Sequence, residues 1–227
     1  MKKVSLGVSI TYKQQIDTEG DKMIDPDFIK KIQKDMKETL PGKRYQHTLG
    51  VAYTAASLAM CHQCDMDEAY VAGLLHDSAK YYSEEALFEE CRKQTLSINE
   101  VEQRNPYLLH GKVGAIIAKE QYGITEEDVL NAITYHTTGR PKMSLLEQIL
   151  FVADYIEPGR KPLGGLDEIR YLAFHDLEAC VIQILEATIQ YLTSTPGKEI
   201  DDTTKKAYMY YTAEEEENKK YEKGKKI

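Results

Sequence analysis

Adjacent imidazole and carboxylate side chains end an apolar stretch in the first half of the sequence. His76 and Asp77 directly follow Leu74 and Leu75 in the run LLHDSAK. Neighbouring residues of an α-helix point about 100° apart, so both side chains reach one metal ion most easily where a helix ends. Alone, such a pair is more often a packed histidine beside a capping aspartate, so the dipeptide by itself predicts little.

Three further histidines strengthen the metal interpretation, because each lies on or at the end of a predicted helix beside apolar residues. They are His47, His110 and His136. Asp154 is the only charge in the apolar run FVADYI, and a buried carboxylate needs a partner or a metal ion. The predicted metal ligands are therefore His47, His76, Asp77, His110, His136 and Asp154.

Four imidazoles and two carboxylates favour a site for two metal ions, in which one carboxylate can bridge both. Iron, manganese or zinc accept such ligands, whereas calcium prefers an all-oxygen cage. The two remaining histidines are interpreted as structural. His62 lies between Cys61 and Cys64, and His175 precedes a predicted helix start.

The elements that must position these residues are predicted to be helices throughout, so the fold class is all-α, a compact bundle of many helices. Apolar residues at helical spacing and cap residues predict helices over about 26–40, 43–63, 66–76, from 84, 109–122, from 126, 145–156, 166–174 and 176–193. Ser144 with Glu147 matches a capping box, and Thr125 with Asp128 resembles one. Loops over 137–142 and 157–165 directly follow His136 and Asp154.

We interpret the chain as one folded domain over residues 23–211. Residues 1–22 form a weakly patterned N-terminal extension. Residues 212–227 are nearly all charged and cannot bury enough apolar area to offset ordering entropy, so a disordered tail is predicted.

Composition narrows the class of protein. A net charge of −8 argues against wide contact with nucleic acid, and no apolar run approaches the roughly 18 to 20 residues that span a membrane. Without an export signal, and with four scattered cysteines, the chain is expected in the reducing cytoplasm. Cys61 and Cys64 form a C-x-x-C with no second copy, so we interpret them as helix-packing residues instead of a redox pair or half a zinc site.

The ordered set of His47, His76-Asp77, His110, His136 and Asp154 resembles the H...HD...H...H...D pattern of the HD superfamily of metal-dependent phosphohydrolases. The surrounding segments RYQHTLGV, LLHGKVGA, YHTTGRP and ADYIEPGR together resemble the YqeK family over about residues 25–211. One departure is Met209, in Thr204-Lys-Lys-Ala-Tyr-Met209, where the family usually has asparagine. Whether that segment contacts nucleotide is therefore in doubt.

The resemblance implies symmetrical hydrolysis of diadenosine tetraphosphate to two ADP. Two divalent or mixed-valence metal ions, with iron expected first and manganese, zinc, cobalt or nickel as alternatives, would lower the pKa of a water aimed at phosphorus. By analogy Asp77 bridges the two ions, and Lys80, about one helical turn later, could contact phosphate oxygens. Asp77 and Lys80 are therefore the residues predicted to be catalytic.

Several cationic and hydroxyl side chains near these positions are predicted to bind the substrate. They are Arg44, Lys80, Thr137, Thr138, Arg140 and Arg160. Arg44 and Lys80 lie about one helical turn from His47 and Asp77, and the alternative for each is a solvated surface position. Glu157 either orients Arg160 or a metal ligand or makes direct contact in the site itself, and the sequence does not separate these roles.

Two other functions stay open. The same metal site serves HD enzymes that act on a nucleoside monophosphate, a cyclic nucleotide or an alarmone, because one fold hosts many substrates. A non-catalytic nucleotide-sensing module would keep the cluster as a structural feature. The sequence also leaves the oligomeric state open, a homodimer included.

Overall fold

The computed structural model describes residues 25–161 and 164–224, and within these ranges the chain folds into eleven α-helices and a short 3₁₀ helix, with no β-strand. The all-α prediction is confirmed. In chain order the helices are α1 (Pro26–Thr39), α2 (Gly42–His62), α3 (Met66–Leu75), α4 (Glu84–Lys93), α5 (Glu100–Arg104), the 3₁₀ helix η1 (Pro106–Leu109), α6 (His110–Tyr122), α7 (Glu127–Tyr135), α8 (Leu145–Ile156), α9 (Leu166–Ala173), α10 (Leu177–Ser194) and α11 (Asp202–Gly224).

Local sequence explains most of the helix starts. Asp25, Asp65, Ser83 and Asp176 each accept a hydrogen bond from a backbone N–H of the first turn that follows. The predicted capping box of Ser144 with Glu147 is present at the start of α8. The one predicted for Thr125 with Asp128 is wrong, because α7 is preceded by Glu126 and has no side-chain cap.

The core is centred on α2, α3, α7 and α8. α2 packs against α3 and α8, and α7 packs against α6 and α8. α2 is rich in alanine, and Ala52, Ala55 and Ala59 are fully buried, so neighbouring helices approach it closely. At Gly73 of α3 an added Cβ would lie 2.5 Å from Ala52 Cα, so this contact requires glycine.

α11 is longer than the sequence indicates. A disordered tail was predicted from residue 212, whereas the helix continues to Gly224. Residues 202–211 already form helical turns with Ala207 and Tyr211 buried, and Glu and Lys extend an existing helix at little cost. Residues 225–227, and the extension predicted over residues 1–22, lie outside the described ranges.

Candidate metal centre

The predicted ligands lie at helix ends that converge. His76 caps the C-terminus of α3 and His136 that of α7, while His110 is the first residue of α6. His47 projects from the first half of α2, and Asp154 from the last turn of α8. Helix packing thus joins six side chains that are spread over more than a hundred residues of sequence.

Each histidine uses Nδ1 for a structural hydrogen bond. In three of them Nδ1 donates to the backbone carbonyl three residues earlier, at 2.7 Å from His76 to Gly73, 2.6 Å from His110 to Tyr107 and 2.7 Å from His136 to Ile133. His47 Nδ1 lies 3.0 Å from Glu157 Oε1 instead. A carbonyl or carboxylate there fixes the proton on Nδ1, so Nε2 of every ring keeps a lone pair for a metal.

The Nε2 atoms and the carboxylates meet in two groups. The donor atoms of His47, His76 and Asp154 lie within 4.8 Å of one another, as do those of His76, Asp77 and His136. His47 Nε2 is 3.0 Å from Asp154 Oδ1. His110 Nε2 joins the second group, at 3.3 Å from Asp77 Oδ1 and 3.1 Å from His136 Nε2.

Burial and charge keep most of these groups in the protonation state that a metal requires. Burial and the neighbouring His110 and His76 rings lower the pKa of His136 to about 3, and burial also lowers the pKa of His110. Although burial opposes ionisation, the imidazoles hold the pKa of Asp77 well below its ordinary value. Burial likewise opposes ionisation of Asp154, yet the nearby side chains of His47, His76 and Arg160 lower its pKa.

His76 shows the opposite shift. Burial disfavours its charged form, but the adjacent Asp77 carboxylate raises the pKa of the ring. His76 Nε2 and Asp77 Oδ1 are buried and find no hydrogen-bond partner among the described residues, although His76 Nε2 lies 3.3 Å from Asp77 Oδ2. A buried polar atom without a hydrogen-bond partner destabilises the fold. Divalent metal ions bound by these nitrogen and oxygen atoms would supply the missing partner.

Two predicted substrate contacts reach this centre. Arg44 Nη1 donates to Asp77 Oδ2 at 2.8 Å. Lys80 Nζ lies 3.0 Å from His110 Nε2 and 3.6 Å from Asp77 Oδ1. The structure thus brings both cations to the Asp77 carboxylate, whereas the sequence left a solvated surface position open for each.

The three residues of the loop after His136 that were predicted to contact the substrate have different partners in the structure. Thr137 Oγ1 is 3.0 Å from His136 Nε2 and 3.4 Å from His110 Nε2, whereas the Thr138 hydroxyl donates to the carbonyl of Gly139. Arg140 forms two hydrogen bonds, of 2.7 and 2.9 Å, to the buried carboxylate of Glu147. Sequence reasoning missed this partner of Arg140, although the capping box already singled out Glu147.

The loop after Asp154 holds the other side of the centre. Arg160 Nε donates to the Asp154 carbonyl at 3.0 Å, and Arg160 Nη2 lies 3.3 Å from Asp154 Oδ1. The Glu157 carboxylate contacts His47, with its Oε1 3.0 Å from His47 Nδ1. Gly50 and Gly159 both lie close to the Glu157 carboxylate. These two glycines are the sequence feature that could have indicated a closely packed side chain at this position.

Other singled-out residues lie elsewhere. His62 Nε2 bonds to the Ala173 carbonyl and His175 Nδ1 to the Tyr171 carbonyl. Cys61 and Cys64 are free thiols. On α11, Thr204 is buried and Ala207 lies against Gly139, while Met209 is 69% exposed, so the segment with the departure from the family pattern packs on the loop after His136.

An all-helical fold that gathers four imidazoles and two carboxylates defines the class as a helical protein with a centre for divalent metal ions. The model of the HD domain family matches residues 44–159, which include all six predicted ligands. The chain belongs to the HD domain family, and within it to the YqeK type.

Similar proteins agree with this assignment. The chain is 41% identical to "Bis(5'-nucleosyl)-tetraphosphatase, symmetrical" of Staphylococcus aureus, over 72% of this chain and 84% of the relative. It is 39% identical to the protein of the same name from Bacillus subtilis, over 74% and 89%. A crystal structure from Clostridium acetobutylicum, titled as a predicted HD superfamily hydrolase involved in NAD metabolism, is 42% identical with a TM-score of 0.79, over 82% of this chain and 97% of that one.

Among the described residues, no helix combines the length and the apolar character that a membrane span needs.

Proposed function

We propose that this protein hydrolyses diadenosine tetraphosphate symmetrically, with water, to two ADP. The observation that carries the proposal is the convergence of all six ligand side chains with Nε2 of each histidine turned to the cluster. The relatives named as symmetrical tetraphosphatases supply the substrate class. Symmetrical cleavage joins the water oxygen to one central phosphorus and breaks its bond to the oxygen bridging the second, so both products are ADP.

The ligand set accommodates two ions, of which iron is our first candidate. His47, His76 and Asp154 would hold one, and Asp77, His110 and His136 the other, with Asp77 near both groups. Divalent metal ions held there would lower the pKa of a water molecule and neutralise charge on phosphate oxygens.

The chain's own cations complete the site. Arg44 and Lys80 both contact Asp77 and are about 29% and 28% exposed, so they lie between the cluster and solvent. At this edge they can donate to phosphate oxygens that approach the centre, and Arg offers the planar fork suited to them. Thr137 provides a hydroxyl beside His136, and Arg160 a partly exposed guanidinium beside Asp154. Direct contact of Thr138 and Arg140 with the substrate stays a prediction.

The test is purification under reducing, anaerobic conditions, metal analysis, and chromatography of the products formed from diadenosine tetraphosphate. ADP alone is expected, together with about two metal ions per chain. AMP and ATP as products would contradict symmetrical cleavage. A preference for a monophosphate, cyclic nucleotide or alarmone would move the protein to another HD activity, and nucleotide binding without turnover would indicate a sensing module.

Ligand variants make the test specific. His76→Ala and Asp77→Ala should abolish hydrolysis while the far-ultraviolet circular dichroism stays helical, because only the end of α3 changes. Turnover retained by either variant in a metal-free preparation would reject the proposed mechanism. Homodimerisation is a separate prediction, which light scattering during size-exclusion chromatography tests.

A further inference from the structure

Glu157 is a buried carboxylate directly after α8, and the mechanism above does not use it. It is only 3% exposed, although no lysine or arginine side chain is paired with it in the described part of the chain. Its Oε1 lies 3.0 Å from His47 Nδ1, and its Oε2 accepts the backbone N–H of Gly159 at 2.5 Å.

Both partners of Glu157 are donors. The Gly159 N–H cannot change its role, and His47 Nδ1 must carry its proton if Nε2 is to bind a metal. A carboxylate accepts both hydrogen bonds, whereas an amide of the same shape would present NH₂ to one of the two donors. The arrangement therefore selects glutamate over glutamine.

Two glycines enclose the carboxylate. A Cβ at Gly50 of α2 would lie 2.6 Å from Glu157 Oε2, and a Cβ at Gly159 would lie 2.9 Å from the same atom. Neither contact leaves room for a side chain without moving the carboxylate. The position of Glu157 is therefore set from both α2 and the loop.

His47 differs from the other three histidines in depending on a side chain. His76, His110 and His136 are oriented by backbone carbonyls of their own helical turns, which no substitution removes. The same loop also supports Asp154, because the Arg160 backbone N–H donates to the Glu157 carbonyl and its side chain contacts Asp154. Two of the three predicted ligands in the group of His47, His76 and Asp154 therefore depend on this loop for their positions.

We propose that Glu157 is a positioning residue that holds His47 with its proton on Nδ1 and so controls one metal position, formed by His47, His76 and Asp154, but not the other. This inference rests on the two-metal site of the proposed function. It predicts that a substitution at Glu157, which is not a predicted ligand, changes the metal affinity of one position and leaves that of the other unchanged.

The experiment is a titration of metal-free Glu157→Gln with Mn²⁺, in which the electron paramagnetic resonance signal measures the unbound ion. The wild-type protein is expected to bind two ions. In the variant one ion should bind as in wild type and the other 10- to 100-fold more weakly, as is typical when a partner of a ligating histidine is lost. Equal affinities in variant and wild type, or equal weakening of both ions, would overturn the proposal.

Glu102→Gln is the matched control. Glu102 is also buried and accepts two hydrogen bonds, from Asn99 N–H and Lys112, but it lies in α5 and contacts no ligand. Glutamine suits the capping box there, so both Mn²⁺ affinities should stay at wild-type values. A loss in this control equal to that in Glu157→Gln would remove the assignment to Glu157.

A second variant keeps the carboxylate and moves it. Gly50→Ala should weaken the same ion as Glu157→Gln, because its methyl group displaces Glu157 Oε2. Nitrogen-15 spectra of the histidine rings in metal-free protein give a readout independent of binding. The His47 signals should shift from the Nδ1–H towards the Nε2–H tautomer in Glu157→Gln, and an unchanged tautomer would contradict the proposal.

The two proposals fail differently. If wild type binds a single Mn²⁺, the two-metal part of the proposed function is wrong. The role of Glu157 then stands only if Glu157→Gln weakens that one ion and Glu102→Gln does not.

Discussion

Single residues of this centre are prepared for metal binding by their surroundings. Burial lowers the pKa of His110 and His136, so these rings stay neutral at pH 7. The neighbouring imidazoles keep Asp77 ionised despite its burial. Neutral imidazole and ionised carboxylate are the forms that coordinate, so little proton release need accompany binding at these residues.

Arg140 and Arg160 allow a prediction at the residue scale. Arg140→Ala should lower the free energy of unfolding by about 2 to 3 kcal/mol, because it leaves the buried Glu147 carboxylate without its paired charge. Arg160→Ala should cost less than about 1 kcal/mol, since its ion pair with Asp154 is more exposed. Urea unfolding of both variants measures the difference, and equal losses would contradict it.

Helix ends are the elements that build the site. α3 and α7 each end at a predicted ligand, His76 and His136, whose ring bonds back to the last turn of its own helix. The ring of His110, at the start of α6, bonds back to η1 in the same way. The ligand directions are therefore set by how the helices pack. A change in the spacing of two helices should disturb the centre without touching a ligand.

Gly73 tests this dependence at the element scale. Gly73→Ala places a methyl group 2.5 Å from the Ala52 backbone, so α2 and α3 must separate. A loss of about 1 to 3 kcal/mol in stability is expected, together with weaker metal binding at His76. Gly42→Ala, with nothing within 4 Å, should leave both properties unchanged or add slight stability. Thermal unfolding and metal titration of the pair provide the measurement.

α11 supports the loop after His136. The Tyr211 hydroxyl accepts the Met143 N–H at 2.9 Å, and Tyr211 and Ala207 are buried. Removing residues 202–227 should therefore lower stability by about 3 kcal/mol or more, since burial of a tyrosine alone contributes about 1.5 to 3 kcal/mol. Removing only residues 215–227 should change stability by less than about 0.5 kcal/mol. Denaturant unfolding distinguishes the two, and a large loss in the shorter truncation would contradict the prediction.

For the whole molecule, metal binding and stability should be linked. Ions that bind only the folded state add about 2.7 kcal/mol at a concentration one hundred times Kd. A chelator should therefore lower Tm while the helical signal stays, and added Mn²⁺ should restore it. His76→Ala is the control, because its Tm should respond much less to Mn²⁺. A wild-type Tm that is unchanged by the chelator would contradict a metal site in the core.

The sequence by itself determined the helical class and most helix starts, and it predicted the six side chains that the fold brings together. Periodic apolar residues, cap residues and isolated polar groups in apolar runs are local features. Each indicates the secondary structure or the burial of its own segment. The charged segment from residue 212 shows the limit of local reasoning, since its composition indicated disorder but helix α11 continues into it as far as Gly224.

Only the tertiary structure decided which partners these groups have. Glu157 meets His47 from 110 residues away, because helix packing brings the loop after α8 onto α2. Arg140 meets Glu147 because the loop after His136 folds back on the first turn of α8. The direction of each imidazole also follows from that packing. Hydrogen bonds and charge act over a few ångströms in space, whereas separation along the chain carries no such information, so contacts of this kind are read only from the folded protein.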